Sequence, residues 1–216
     1  MQSNLIKFVI ISDTHGQHHD LHLPEGDILI HAGDFCHYGG TDYLYDFLGW
    51  FGELDYEHKI LVAGNHDFFA DEQPEKFQAL LPPEVTYLND SGTAIHGLQF
   101  WGSPVQPDLT GWAFGRNRGA EMDLHWELIP ENVDVLITHT PPYGILDSTR
   151  SGQSVGCDVL SQRVPFFEPG LHVFGHVHAS YGKEVIGGTT YINAANMNSK
   201  GVIANPPMIF EWNIPQ

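Results

Sequence analysis

Short apolar, β-branched runs recur along this chain, and each is followed within a few residues by Asp, Asn or His. Phe8-Val9-Ile10-Ile11, Ile28-Leu29-Ile30, Ile60-Leu61-Val62, Val133 to Ile137 and Leu171 to Phe174 have the length and composition of strands. The pattern predicts strands near Lys7–Ser12, Asp27–His31 and His58–Ala63, with helices at Thr41–Phe51 and Pro74–Leu80. Leu81-Pro82-Pro83 ends the second helix, because the residue before a proline is pushed out of helical conformation. The middle of the chain is more β-like, with short strands at Val85–Leu88, Thr93–His96 and Leu98–Trp101 joined by glycine turns. A Gly-, Pro- and Trp-containing loop spans Ser103–Gly119, followed by a helix at Ala120–Leu128. Strands at Val133–Thr138, Leu171–Phe174, Tyr181–Ile186, Thr189–Asn193 and Met208–Trp212 and a helix at Cys157–Val164 complete the reading. Mixed β-α units followed by hairpins predict an α/β fold. Two mixed sheets flanked by helices would make a four-layer α-β-β-α sandwich, with residues 1–216 forming a single domain and no linker or repeat.

The polar residues at the strand ends are not a random set. They read Asp13-Thr-His15, Gly33-Asp34, Gly64-Asn65-His66-Asp67, Thr138-His139-Thr140 and Gly175-His176-Val177-His178. Side chains placed just beyond the carboxyl ends of strands are how an open α/β sheet builds a site along one edge. Within an extended strand end, residues i and i+2 point the same way, so Asp13 with His15, and His176 with His178, are each expected to face one side. Carboxylates, imidazoles and one amide oxygen, with no cysteine, suit Mn, Fe, Zn or Co better than a thiolate zinc cage or an all-oxygen calcium loop. The set is too large for one ion that must keep an open position, and two ions sharing a carboxylate fit it. Asp34, alone on its strand end, is the natural bridge. Two divalent ions about 3.5–4 Å apart suit phosphate-ester hydrolysis, with a hydroxide held between them as nucleophile. His66, beside Asn65, is placed to protonate the leaving group.

Composition narrows the partners. A formal charge of −18, from 27 acids against 9 bases, disfavours long nucleic acid and anionic membranes, where binding depends on Lys and Arg. A small phosphoester, nucleotides included, is the expected partner; the oligomeric state is left open. Two cysteines give no disulfide framework, and the apolar run near the N-terminus is too short for a signal peptide, so a soluble cytoplasmic protein is expected.

The order D-x-H, G-D, G-N-H-D, H, G-H-x-H resembles that of the calcineurin-like metallophosphoesterases. It is especially similar to the class III cyclic-nucleotide phosphodiesterases and their metallophosphoesterase-domain-containing branch. Gly26 to Asp34, Gly111-Trp112, Arg118-Gly119, Val155-Gly156-Cys157, Leu171 to His176, Thr190 to Asn193 and Asn205-Pro-Pro207 extend the likeness over nearly the whole chain. The resemblance implies one metal on Asp13, His15, Asp34 and His178, a second on Asp34, Asn65, His139 and His176, and His66 as general acid. It implies a manganese-type binuclear phosphodiesterase for small diesters such as cyclic nucleotides. A phosphomonoesterase or nucleotide pyrophosphatase uses the same motifs, and a non-catalytic scaffold is the third alternative. The protein Ser/Thr phosphatases of the superfamily carry G-D-x-V-D-R-G, whereas Phe35-Cys36-His37-Tyr38-Gly39-Gly40 follows Asp34 here, which argues against that activity. The departure leaves open what orients His66, with Asp67 as one candidate.

The remaining histidines are assigned no chemistry. His31 and His172 are read as structural or as partners supporting the ligands, and His18, His19, His22, His37, His58, His96 and His125 as surface or loop residues. Arg116, Arg118 and Arg150 are candidates for phosphate recognition, and Trp112 and Phe114 for base stacking. Cys36 is read as a small buried apolar residue, and Asn193 and Asn196 as turn residues.

Overall fold

A computed structural model describes residues 5–37, 41–107 and 110–214. Tyr38, Gly39 and Gly40 of the segment after Asp34, and Asp108 and Leu109 of the Ser103–Gly119 loop, lie outside these residues. The first half of the chain comprises β1 (Leu5–Ile11), β2 (Ile28–Ala32), α1 (Thr41–Glu53), β3 (His58–Val62), α2 (Phe68–Glu72), α3 (Pro74–Leu80) and β4 (Val85–Tyr87). A hairpin of β5 (Ser91–Ile95) and β6 (Leu98–Ser103) follows, then the short pair β7 (Gln106–Pro107) and β8 (Gly115–Arg116). The second half holds α4 (Ala120–Trp126), β9 (Val135–Thr138), α5 (Asp158–Phe167), β10 (Leu171–Phe174), β11 (Gly182–Ile186), β12 (Thr189–Asn193) and β13 (Met208–Asn213).

The strands make two large mixed sheets, ordered β13-β1-β2-β3-β4 and β11-β12-β10-β9-β6-β5. β1 to β4 run parallel, as do β6, β9, β10 and β12; β4 forms one sheet edge, and antiparallel β13, β11 and β5 close the other three. Alternate residues of β1 serve two cores. Phe8 and Ile10 pack with Ile30, Ile60, Phe100, Val135 and Val173 between the sheets. Val9 and Ile11 belong instead with the apolar face of α1. That face is Leu44, Phe47, Leu48 and Phe51, a spacing of i, i+3, i+4 and i+7 that puts all four on one side of a helix. Burial on both faces explains why these strands are continuous apolar runs.

The sandwich read from the sequence is therefore what the chain forms. Helix α2 was missed, being one short turn between Asp67 and Gln73. Two residues assigned to the surface are buried: His18 and His125, at 0% and 8% exposure. His18 rests against Phe47 and Trp50 of α1, and His125 contacts Ser103 and Asp90, so partners distant along the chain decide their burial. Asn193 and Asn196 are also more than turn residues. Asn193 ends β12 and donates through Nδ2 to the carbonyls of Leu146 and Val177. Asn196 accepts from Ser12 N–H and donates to Asn205, which stitches the two sheets together beside the end of β1.

Candidate metal centre

Parallel strands share a direction, so the carboxyl ends of β1, β2 and β3 lie along one edge, and those of β9 and β10 do the same in the second sheet. Asp13, Asp34, Asn65, His139 and His176 all follow those ends within a few residues. Backbone bonds join the loops: Asp13 N–H donates to Gly33, His15 N–H to Asp34 and Gly175 N–H to His139.

The way these side chains reach the site differs from the sequence reading. Asp13 and His15 are not in extended conformation; their φ values are 54° and 43°, and Asp34 and His176 are also left-handed at 58° and 66°. His178 lies on a 3-10 turn, His178–Ser180, rather than on a strand end. A non-glycine residue held in this region costs on the order of 1–3 kcal/mol and persists only where its surroundings fix it. Here the fixing groups are the loop bonds above and the carboxylate of Asp13, which accepts His176 N–H through both oxygens at 3.0 and 2.9 Å.

The donors fall into two groups around Asp34. In one, Asp13 Oδ1 lies 3.2 Å from His178 Nε2, and His178 Nε2 lies 3.2 Å from His15 Nε2. In the other, Asn65 Oδ1 lies 2.9 Å from His176 Nδ1 and 3.2 Å from His139 Nε2. Asp34 Oδ2 stands between them, 3.7 Å from His15 Nε2 and 3.3 Å from His139 Nε2. Neighbouring ligands of an ion with bonds near 2.1 Å are about 3.0–3.4 Å apart, so most of these contacts have the spacing of a coordination shell. His139 fits a ligand role in a second way. Its Nδ1 faces the Ala32 carbonyl at 2.8 Å, an arrangement that turns Nε2 toward Asp34 and Asn65. The donor set and its spacing fit divalent metal ions.

The electrostatics suit cations. Burial pushes the Asp13 carboxyl up, but the His178 hydrogen bond and charge outweigh it and hold the group well below the usual range. Burial also opposes ionisation of Asp34, and the charges of His139 and His15 reverse that effect. Burial draws His15 and His176 down to about 4, which leaves neutral rings with lone pairs for a metal. Burial lowers His139 too, yet the charge of Asp34 lifts it to about 9. Metal binding at His139 would therefore release a proton.

Asp67, a candidate for orienting His66, does something else. Oδ2 accepts the N–H groups of Gly64 and Asp34, and Oδ1 accepts that of Cys36, so its carboxylate knits the ends of β2 and β3 together. The His37 carbonyl instead accepts from His66 Nδ1, and the His66 ring sits 4.5 Å from both His15 and Trp112. His31 and His172 are structural. His31 bonds Thr14 and receives Gly33 N–H, while His172 bonds Thr138.

A cleft of about 600 Å³ opens beside the cluster, lined by Asp34, Asn65, His66, His176 and His178 and by Thr149, Arg150, Ser151 and Val155. Arg150 is the candidate arginine that lines it. Arg118 holds the carbonyls of Val155 and Gly156 and the carboxylate of Asp158, and Arg116 faces Glu121. Trp112 packs on His66 and Phe68, and Phe114 is buried. Asp147, which no motif in the sequence singles out, is a buried carboxylate that accepts Gly144 and Gly156 N–H and so shapes the cleft wall. Its isolated place in a loop gave no signal.

Glycine is required where the loops meet. A Cβ on Gly64 would lie 2.6 Å from the Asp34 backbone nitrogen and 2.7 Å from His139 Cε1. Gly64→Ala is expected to weaken metal binding by about 10–100-fold, the usual cost of disturbing groups that support metal ligands. Gly49→Ala, in helix α1 with open space around it, is the control and leaves metal affinity unchanged. Titration of both variants with Mn²⁺ checks this.

Two packed mixed sheets with clustered Asp, His and Asn donors at their strand ends define the class as a metallophosphoesterase-type α/β protein. Residues 6–180 match the calcineurin-like phosphoesterase family. The chain is 40% identical to metallophosphoesterase domain-containing protein 1 of Homo sapiens, over 97% of this chain and 72% of that one. It is 39% identical to a UPF0046 protein of Caenorhabditis elegans, over 95% and 74%. The solved structure of TT1561 of Thermus thermophilus shares the fold, with a TM-score of 0.63 at 13% identity, covering 89% of this chain and 90% of that one. The chain belongs to the calcineurin-like phosphoesterase family, a family of metal-dependent phosphoester hydrolases. Among the described residues no helix is long and apolar enough to cross a membrane.

Proposed function

We propose that this chain is a binuclear metal-dependent phosphodiesterase for small phosphodiesters, cyclic nucleotides foremost. The observation that carries the reading is the position of Asp34 Oδ2 between two donor groups, 3.7 Å from His15 and 3.3 Å from His139. In this reading Asp13, His15, Asp34 and His178 hold one ion, and Asp34, Asn65, His139 and His176 hold the other. Manganese suits the oxygen and imidazole donors. Bound ions supply a nucleophile from water at neutral pH and offset negative charge at phosphorus.

The chain's own groups do the rest. His66, anchored through Nδ1 to the His37 carbonyl, uses Nε2 to protonate the departing oxygen. The backbone N–H of His66 donates to Asp34 Oδ1 at 2.8 Å, which fixes the acid relative to the carboxylate. Val155, Val177 and Ala179 give the cleft an apolar wall for a nucleobase, and Arg150 provides donors for a second phosphoryl or ribose oxygen. A diester carries one negative charge at phosphorus and meets less repulsion from this acidic protein than a monoester does. With a charge of −18, long nucleic acid and anionic membranes are not partners in this proposal. The two free, buried cysteines support a cytoplasmic location.

Metal-stripped protein given Mn²⁺ stepwise tests the reading, with bis-p-nitrophenyl phosphate and p-nitrophenyl phosphate as substrates. Activation with the diester favoured is the expected outcome. A monoester preference would replace the reading with a phosphatase, and metal binding without turnover of either would replace it with a scaffold.

A further inference from the structure

A second set of metal-ligating side chains lies apart from the cleft. His18 and His19 occupy a 3-10 turn, His18–Asp20, and Asp46 faces them from α1. His18 Nε2 and His19 Nε2 each lie 3.2 Å from Asp46 Oδ2, and all three donors fall within 4.8 Å of one another. We propose that His18, His19 and Asp46 form a separate site for a zinc-class divalent cation, which pins the segment after His15 to helix α1.

The independent observation is His18 itself. Its side chain is fully buried, and neither Nδ1 nor Nε2 has a hydrogen bond. The Nε2 contact with Asp46 has a hydrogen-bond distance without the alignment of one, as expected when two ligands face a common point rather than each other. A buried nitrogen without a hydrogen bond is costly, and an ion would satisfy Nε2, the nitrogen that faces Asp46. Burial first, and the neighbouring His19 second, draw the His18 ring down to about 4, so it is neutral and offers a lone pair near pH 7. Asp46 and His19 are 53% and 60% exposed, so an ion reaches the site from solvent and keeps a position open to water. Two imidazoles and one carboxylate favour zinc, copper, nickel or cobalt over magnesium or calcium. The other outlying cluster, Glu57, His58 and His96, is looser at 3.5 and 3.6 Å, and its residues are exposed or half-buried.

The test counts zinc in protein whose strand-end centre is disabled. Asp34→Ala protein, stripped of metal and titrated with Zn²⁺ alone, should still bind one ion per chain and gain thermal stability from it. Adding His19→Ala and Asp46→Ala should weaken that binding by at least about tenfold and abolish the thermal gain. Should Asp34→Ala fail to fold, wild-type protein and the His19→Ala/Asp46→Ala double variant give the same answer by differing by one zinc per chain. Equal zinc content and equal thermal shift with and without the double substitution would overturn the site. Because the readout is binding away from the cleft, that failure is distinct from any failure of the phosphodiesterase reading.

Discussion

Asp34→Ala is expected to abolish turnover and to empty the strand-end centre, because both donor groups are built on its carboxylate. Asp34 Oδ2 lies within 4 Å of both His15 and His139, at 3.7 and 3.3 Å, and Oδ1 accepts the His66 backbone N–H. In the proposed reading the substitution removes the bridge and the anchor of the acid, and with them the charge that lifts His139. Several kcal/mol of transition-state stabilisation from the ions goes with it, a fall of about 10³-fold or more in kcat/KM. Asp34→Asn keeps the shape and loses the charge, and should fail nearly as badly. Elemental analysis of both variants beside the rate decides the matter. A full complement of two manganese ions and near-normal turnover in Asp34→Ala would remove Asp34 from its assigned place.

His66→Ala separates proton transfer from metal binding. Its ring is held by His37 and packed between His15 and Trp112, and none of the seven proposed ligands depends on it. Metal content should stay at the wild-type level while turnover drops by about 10²–10⁴, the usual worth of a general acid. The deficit should also depend on the leaving group. A nitrophenolate leaves readily without a proton, whereas an alkoxide, such as a ribose oxygen, does not. The variant should therefore be impaired least on bis-p-nitrophenyl phosphate and most on a cyclic nucleotide or dialkyl ester. Equal deficits on both, or loss of metal, would mean that His66 is not the acid.

How much of this was legible in the chain depends on the range over which each feature is decided. The strands and the donor motifs are local: a buried parallel strand is a continuous apolar run, and the residue just beyond it faces the site edge. Asp13, Asp34, Asn65, His139 and His176 could be read that way. What brings Asp13 and His15 to the site was not legible, because their left-handed backbones are set by bonds to the β2 loop rather than by strand alternation. Asp67 looked like a partner for its neighbour His66, yet its carboxylate is taken by three backbone N–H groups, two of them on the β2 loop. Arg118 looked like a phosphate ligand until its carbonyl partners in the Val155–Gly156 loop were visible. His18 was the largest miss. Nothing in His18-His19-Asp20 announces burial, which comes from Phe47 and Trp50 of α1.

Anomalous scattering from crystals of the manganese-loaded protein shows whether two ions share Asp34. Two manganese peaks about 3.5–4 Å apart are expected, the spacing of two-metal phosphoesterase sites. One should contact Asp13, His15 and His178, the other Asn65, His139 and His176, with Asp34 touching both. A single peak, or two peaks that do not share Asp34, would contradict the shared bridge.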